Sequence, residues 1–446
     1  MARERGKREA PKKHRFLKFL GGLLVTLVCC FAILFVVNFG FSLSLRHYIN
    51  SFDPVDYSDV DRVLPAVDQE TGYYTFTTDD DLKIMMLTDI HLGGGCWSHT
   101  KDKKTIYEVI TMLQQEKPDL VILDGDNTFA VPGPVYNGGG TLNNAMAAKD
   151  VIEIFEHEGV YFTTVFGNHD TEVFDYTGRQ KLAEIYMDEK YDYCIFNQDF
   201  TDSDADIPSV TNQIIQVKNT KGEITKAILL LDSNAYVDES IRAVLDWDYD
   251  IIHEAEVDWA KSSLEELGNP KTLAFFHIPT SEFRVAYEEL AANDWKDTEN
   301  SRYVSGVWDE KMDETVNSRI WHGGITRTDV ELADIDNFFE ELGPDGANLL
   351  EACFCGHDHV NNGVVTYKGV SLVYGYSLDN LAYTGINESG CQRGSTVITV
   401  KSDGTWSQQH KNVYEDYGAE TDKFYDVYLD HLLYGDEAPA GVLFCK

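Results

Sequence analysis

The chain has 446 residues, 43% of them hydrophobic, and a formal net charge of −38. That is material for a sizeable core in one large domain or two ordinary ones, and so acidic a balance argues against a nucleic-acid binder that works by neutralising phosphates. Eight cysteines without zinc-ligand spacing do not make a disulfide-dense scaffold; Cys353 and Cys355, two apart on an expected strand, read as buried and inert.

Charge is unevenly spread. Residues 1–18, "MARERGKREAPKKHRFLK", hold eight Lys/Arg against Glu4 and Glu9, a net of +6 that leaves −44 on residues 46–446. Between them, residues 19–45 carry no charge at all. Such a run covers about 40 Å as a helix, enough to cross a bilayer with some tilt. It is longer than a signal-peptide core and no A-x-A site follows. The reading is an uncleaved signal anchor, with the basic tail 1–18 in the cytoplasm and the acidic bulk outside.

Residues 46–80 read as an acidic stalk passing into a first strand. From about residue 82, apolar runs alternate with helical stretches. "LKIMMLTD" reads as a strand. "KKTIYEVITMLQQEKPD" places Ile106, Val109, Ile110 and Leu113 at half-buried helix spacing. "DLVILDGD", "NNAMAAKDVIEIFEHEG" and "VYFTTVFGN" continue the alternation, which predicts βαβ units in a layered α/β domain. The later half is richer in strands, with a hairpin expected around Asn219–Gly222 and short strands in "VVTYKGVSLVYGY" and "TVITVKSDGTW".

Polar residues collect where the apolar runs stop: Asp89 and His91 in "TDIHLG", Asp124 and Asp126 in "LDGDN", Asn168, His169 and Asp170 in "FGNHD", His277 in "FFHIP", and His357 and His359 in "CGHDH". Any one of these reads more simply as a turn, a cap or a core histidine. Five strand ends delivering imidazole, amide and carboxylate toward one rim suit a divalent transition-metal site instead.

D-x-H, G-D, G-N-H-D, H and G-H-x-H in this order resemble the calcineurin-like metallophosphoesterases, over about 270 residues from Asp89 to His359. The fuller strings look most like the small purple-acid-phosphatase-like branch. The resemblance implies an α/β fold with two mixed β-sheets in a sandwich flanked by helices, here over residues 81–412. It implies one metal held by Asp89, His91, Asp126 and His359, and another by Asp126, Asn168, His277 and His357, with Asp126 bridging. His169 would be the catalytic imidazole acting as general acid, Asp170 would orient it, and a metal-activated water would attack the phosphorus. Asp358 is a candidate for fixing a ligand tautomer. True purple acid phosphatases carry a tyrosine three positions after the motif Asp; Phe129 stands there. Two divalent ions (Mn, Mg, Zn or Fe) are therefore expected, unless Tyr136 supplies a phenolate.

The expected function is a membrane-anchored phosphatase for phosphomonoesters outside the cytoplasm. A phosphodiesterase using the same site is the near alternative, and a non-catalytic surface binding module the distant one. The partners are a phosphate ester substrate and the membrane, with no nucleic-acid-binding domain. The glycine runs 93–95 and 138–140 lack the Lys-Ser/Thr of a phosphate loop, although Ser98 or His99 could touch substrate. The segment 281–345 is too long for a plain connection, and part of it is expected to overhang the site and shape specificity. The acidic, aromatic extension 413–446 is expected to pack partly on the domain, and Asn387 begins a lone glycosylation sequon.

Overall fold

The computed structural model describes residues 12–131, 143–172, 175–205, 208–238, 240–242, 249–306, 342, 349–359, 361–382 and 393–421. Two mixed sheets face each other. One has five strands in the order β15 (Trp406–Asn412), β14 (Gly394–Val400), β3 (Leu82–Leu87), β4 (Leu120–Asp124), β5 (Phe162–Val165). Its β3, β4 and β5 run parallel, while β14 is antiparallel to β3 and to β15. The other has ten: β1 (Pro65–Val67), β2 (Tyr74–Thr77), β7 (Ser209–Lys218), β8 (Ile224–Leu230), β9 (Thr272–Phe275), β11 (Leu350–Cys355), β13 (Val370–Tyr374), β12 (Val364–Tyr367) and β10 (Ser301–Ser305) in that order, with β6 (Phe200–Asp202) paired to β7 off the main path.

Strand periodicity builds three layers of core. Ile84 and Met86 of β3 and Leu120 and Ile122 of β4 face Ile228, Leu230, Phe275 and Phe354 of the other sheet. Alternate residues on the same strands, Met85, Leu87, Val121 and Leu123, meet the outer helices α2 (His99–Glu116) and α3 (Asn144–Glu158). Beyond the ten-stranded sheet lie α5 (Glu254–Glu266) and α6 (Ser281–Ala292), packed on Leu229, Ala274 and Leu372; α4 (Arg179–Tyr186) adds Leu182, Ala183 and Tyr186 to the first outer layer. The helices stop where the sequence lets them. Asn143 caps α3 by accepting the Met146 amide, and Gly159 ends it in the left-handed region.

The N-terminal apolar segment is a single helix, α1 (Lys12–Ile49), of 38 residues. Among the described residues it is the one helix long and apolar enough to cross a membrane. The reading that ended it at 45 and began a stalk at 46 is corrected here. The helix runs through Arg46 to Ile49, and Ser42, Leu45 and Ile49 form a buried stripe at helical spacing. Ser42 Oγ donates to Asp150 Oδ1 at 2.8 Å, and Arg46 Nε meets the same oxygen at 2.8 Å. A charge marked the boundary in the sequence, yet Asp150 on α3 answers that charge and the helix continues.

At the other end Val413, Tyr417 and Ala419 enter the core; residues 422–446 lie outside the described set. The long segment from 281 begins as α6 and contributes β10 to the sheet edge, so its described part is framework rather than an overhang. Residues 307–341 lie outside the description, as do Tyr136 and Asn387.

Candidate active site

The strand ends deliver their side chains as read. Asp89 and His91 follow β3, Asp126 follows β4, Asn168 follows β5, His277 follows β9, and His357 and His359 follow β11. Backbone hydrogen bonds lace the first two ends together: Asp89 N–H to Gly125 O at 3.0 Å and His91 N–H to Asp126 O at 2.9 Å. Asp89, His91, Asp126 and His357 all adopt positive φ, between 50° and 70°. Non-glycine residues rarely hold this conformation, and it clusters at functional sites.

Three motif glycines are needed for close approach. A Cβ on Gly125 would lie 2.4 Å from the His277 ring, one on Gly167 would lie 2.2 Å from Asp126 Oδ1, and one on Gly356 would lie 1.8 Å from Thr88 Oγ1 and 2.8 Å from Asp89 Oδ2. The G-D, G-N-H and G-H-x-H patterns are thus packing statements as well as chemical ones.

Two groups of donor atoms result. Asp89, His91, Asp126 and His359 offer ligand atoms within 4.8 Å of one another, and so do Asp126, His277 and His357. All six side chains lie at or near zero exposure except His357 and His359, which remain largely covered. His91 Nε2 stands 3.3 Å and His277 Nε2 3.1 Å from Asp126 Oδ2, and His359 Nε2 stands 3.1 Å from Asp89 Oδ1. Asn168 Oδ1 lies 3.0 Å from His357 Nδ1. Buried polar atoms without a hydrogen bond are costly, and although Asp89 Oδ1 and His277 Nε2 have an ion-pair neighbour at 3.1 Å, neither they nor His357 Nε2 makes an aligned hydrogen bond within these groups. Converging orphaned N and O donors of this kind fit a pair of divalent ions.

Burial works against ionising Asp89 and Asp126, but the neighbouring imidazoles of His359 and His277 prevail and hold both carboxyls below their usual range. Burial, reinforced by the neighbouring His277, pushes His357 down to about 3, toward the neutral form, whereas at His277 and His359 burial is outweighed by the carboxylates of Asp126 and Asp89, which raise both, His277 to about 9. His277 and His359 would each give up a proton to bind an ion. His277 donates from Nδ1 to the Asp124 carbonyl at 2.8 Å, which leaves Nε2 turned to the cluster.

Several partners were not visible in sequence. Asp379 holds the two histidines of the first group, with Oδ2 3.2 Å from His359 Nδ1 and Oδ1 3.7 Å from His91 Nδ1. Asp358, the other candidate for that task, accepts from Asn361. His169 Nδ1 meets Glu172 Oε1 at 2.5 Å, whereas Asp170 accepts from the amides of Gly167 and Thr128 at 2.9 Å each. The carboxylate that orients His169 is therefore Glu172, and Asp170 fixes the loop beneath it. Neighbours in a tight turn point apart, and the residue three places on comes back. Tyr236 completes the wall, its hydroxyl 3.3 Å from Asn168 Nδ2 and 3.4 Å from Glu172 Oε1. Ser98 and His99 are engaged elsewhere, Ser98 with Asp102 and His99 with Ser44 and Phe41 of α1. Phe129 is buried, stacked on His91 at 5.3 Å and edge-on to His169 at 5.0 Å.

The family model described as calcineurin-like phosphoesterase matches residues 82–361, which takes in every one of these strand ends. The chain belongs to the calcineurin-like phosphoesterase family. Among curated proteins it is similar to probable inactive purple acid phosphatase 28 of Arabidopsis thaliana, at 25% identity over 73% of this chain and 77% of that one. It is also similar to probable inactive purple acid phosphatase 29 of the same plant, at 23% identity over 74% and 80% of the two chains. Among solved structures it is similar to a dimetal phosphatase from Danio rerio, at 11% identity, covering 75% of this chain and 97% of that one with a TM-score of 0.42.

Proposed function

We propose that this phosphoesterase is a membrane-anchored phosphatase that hydrolyses phosphomonoesters outside the cytoplasm with two divalent ions. The observation that carries the reading is the place of Asp126. It belongs to both donor groups, and its Oδ1 also accepts the His169 amide at 2.7 Å, so a bridging carboxylate and a proton donor are fixed to each other. Asp89, His91, Asp126 and His359 would hold one ion, and Asp126, Asn168, His277 and His357 the other. Such a pair, as Mn, Mg, Zn or Fe, neutralises the phosphoryl group and acidifies water.

The chain's own residues do the rest. Burial disfavours the charged form of His169, but Asp126 and Glu172 outweigh it and raise its pKa, and the Glu172 contact, which is free of the ligand set, favours the protonated imidazole. With Nδ1 taken by Glu172, Nε2 remains to protonate the leaving alkoxide, worth about 10²–10⁴ in rate. Asp379 keeps His359 in the tautomer that presents Nε2 and sets a negative charge 3.7 Å from His91 Nδ1. The relatives named above are called probable inactive; this chain keeps each donor and His169, which supports catalysis over a binding role.

The full-length protein in detergent, stripped of metal and reloaded from a panel of ions, should hydrolyse p-nitrophenyl phosphate faster than its bis ester. Preference for the bis ester would favour a phosphodiesterase, and metal binding with no turnover of either would favour the non-catalytic module. The basic tail and uncharged span support an outside catalytic domain; a C-terminal reporter active only outside the cytoplasm should be active, and a silent one would overturn the topology.

A further inference from the structure

We propose that the substrate is a phosphomonoester carried by the bilayer itself, a lipid phosphate, reached by a domain clamped to the headgroup layer through the loop Gly93–Trp97. This rests on the membrane-anchored phosphatase reading and names its substrate class.

The geometry comes from α1. Its side chains from Phe16 to Val37 stand exposed wherever they are described, and contact with the domain begins at Asn38. That free stretch rises about 33 Å, against about 30 Å for the hydrocarbon of a bilayer. The boundary of the bilayer therefore falls at Asn38. There the Asn38 side chain accepts the Cys96 amide at 3.1 Å. The next residue, Trp97, is 55% exposed, and tryptophan favours the membrane–water interface. The stripe through Ser42, Leu45 and Ile49 then binds the helix to the domain with no intervening linker, so the loop cannot swing away.

This loop also follows the His91 strand end in the chain, outside the donor cluster. His91 precedes Cys96 by five residues, a span of at most about 18 Å of chain. Asp102 ties the loop down by accepting the amides of Gly93 and Gly94 at 3.0 Å each. The headgroup layer itself is about 5–8 Å deep, and the chain from His91 to Cys96 sets the upper bound on how far the donor cluster stands from it. Local charge points the same way. In a chain with 37 basic and 75 acidic side chains, the start of α2 carries Lys101 and Lys103, with Lys103 Nζ 5.2 Å from the Tyr48 ring of α1, while Arg46 and Lys104 nearby are paired with Asp150 and Glu108. A basic edge beside a span suits anionic headgroups.

The reaction balances as a hydrolysis. Water oxygen forms a new bond to phosphorus, the bond from phosphorus to the lipid oxygen breaks, and that oxygen takes a proton, releasing inorganic phosphate and a lipid alcohol.

The test uses full-length, metal-loaded protein in phosphatidylcholine vesicles containing phosphatidic acid, with p-nitrophenyl phosphate as the soluble probe. Wild type should release phosphate from both. Trp97→Glu should lower release from phosphatidic acid about tenfold while leaving p-nitrophenyl phosphate turnover unchanged, and Trp97→Phe should restore it. Turnover of the soluble ester with none of the lipid, or equal effects of Trp97→Glu on both, would overturn the proposal. Failure on both substrates by wild type would instead overturn the phosphatase reading beneath it, and this inference with it.

Discussion

His169 touches Glu172 through Nδ1 and the Phe129 ring through its face, and these two contacts separate roles that sequence adjacency blurred. His169→Ala should keep both ions and lose about 10²–10⁴ in turnover, more for alkyl than for aryl phosphates because a poorer leaving group needs its proton more. Glu172→Gln should lower activity and move the alkaline limb of the pH profile to lower pH, since it removes a negative partner that favours protonated His169. Asp170→Asn should act first on stability, because the Asp170 carboxyl serves the loop amides. An unchanged pH profile in Glu172→Gln would return the orienting role to Asp170. The ring at Phe129 offers no oxygen, so the loaded protein should be colourless and recover activity with divalent ions alone; a visible charge-transfer band would contradict this. At Gly356 an added methyl would collide with Thr88 and Asp89, so Gly356→Ala should cost metal affinity at the first group, measurable by calorimetric titration of the stripped protein.

At the scale of elements, the start of α5 carries a pH-dependent contribution. His253 stands with Nε2 3.2 Å from Asp250 and Nδ1 3.4 Å from Asp202 and 3.8 Å from Glu256. Burial opposes its charge, but Asp250 and the other acids prevail and lift its pKa to about 9. A histidine raised above its unfolded value stabilises fully below about pH 6.5, and that contribution is lost as pH rises through about 9. Urea unfolding should therefore show His253→Gln about 1–2 kcal/mol less stable than wild type near pH 6, with the gap closing near pH 9. A gap independent of pH would refute the ion cluster.

Elements also show what sequence could carry. The ends of β3, β4, β5, β9 and β11 were legible because metal ligation restricts residue type and each end follows an apolar run. The β7–β8 hairpin was legible because its turn is local, and β12 and β13 were legible as short strands without their pairing. The order of the ten-stranded sheet was not, since β2 against β7 and β9 against β11 are pairings that only the closed fold brings together. Asp379 and Tyr236 carry no local signal; they matter only through where the chain later returns. The docked face of α1 was hidden for a different reason: Leu45 and Ile49 look like any other apolar residues beside an uncharged run.

For the whole molecule, that docking makes the last turns of α1 part of the domain. Leu45 and Ile49 are fully buried, worth about 1.5–3 kcal/mol each, and the buried Asp150 would lose its partner Arg46. A soluble form beginning at residue 38 should thus melt well above one beginning at residue 50, by a margin that is a large part of the about 5–15 kcal/mol holding a domain together. Equal melting temperatures would show the helix to be a mere tether.

The left-handed backbone at Asp89, His91, Asp126 and His357 reaches beyond chemistry. Each such residue costs on the order of 1–3 kcal/mol, and together they place a spring at the mouth of the sandwich. An ion that binds only the folded chain returns about 4 kcal/mol at a thousandfold excess over its dissociation constant. Metal supply is then a condition of survival as well as of turnover. Stripped by a chelator, the site should open first and fall to proteases at the strand ends, so a cell short of metal would clear the protein rather than keep an idle copy.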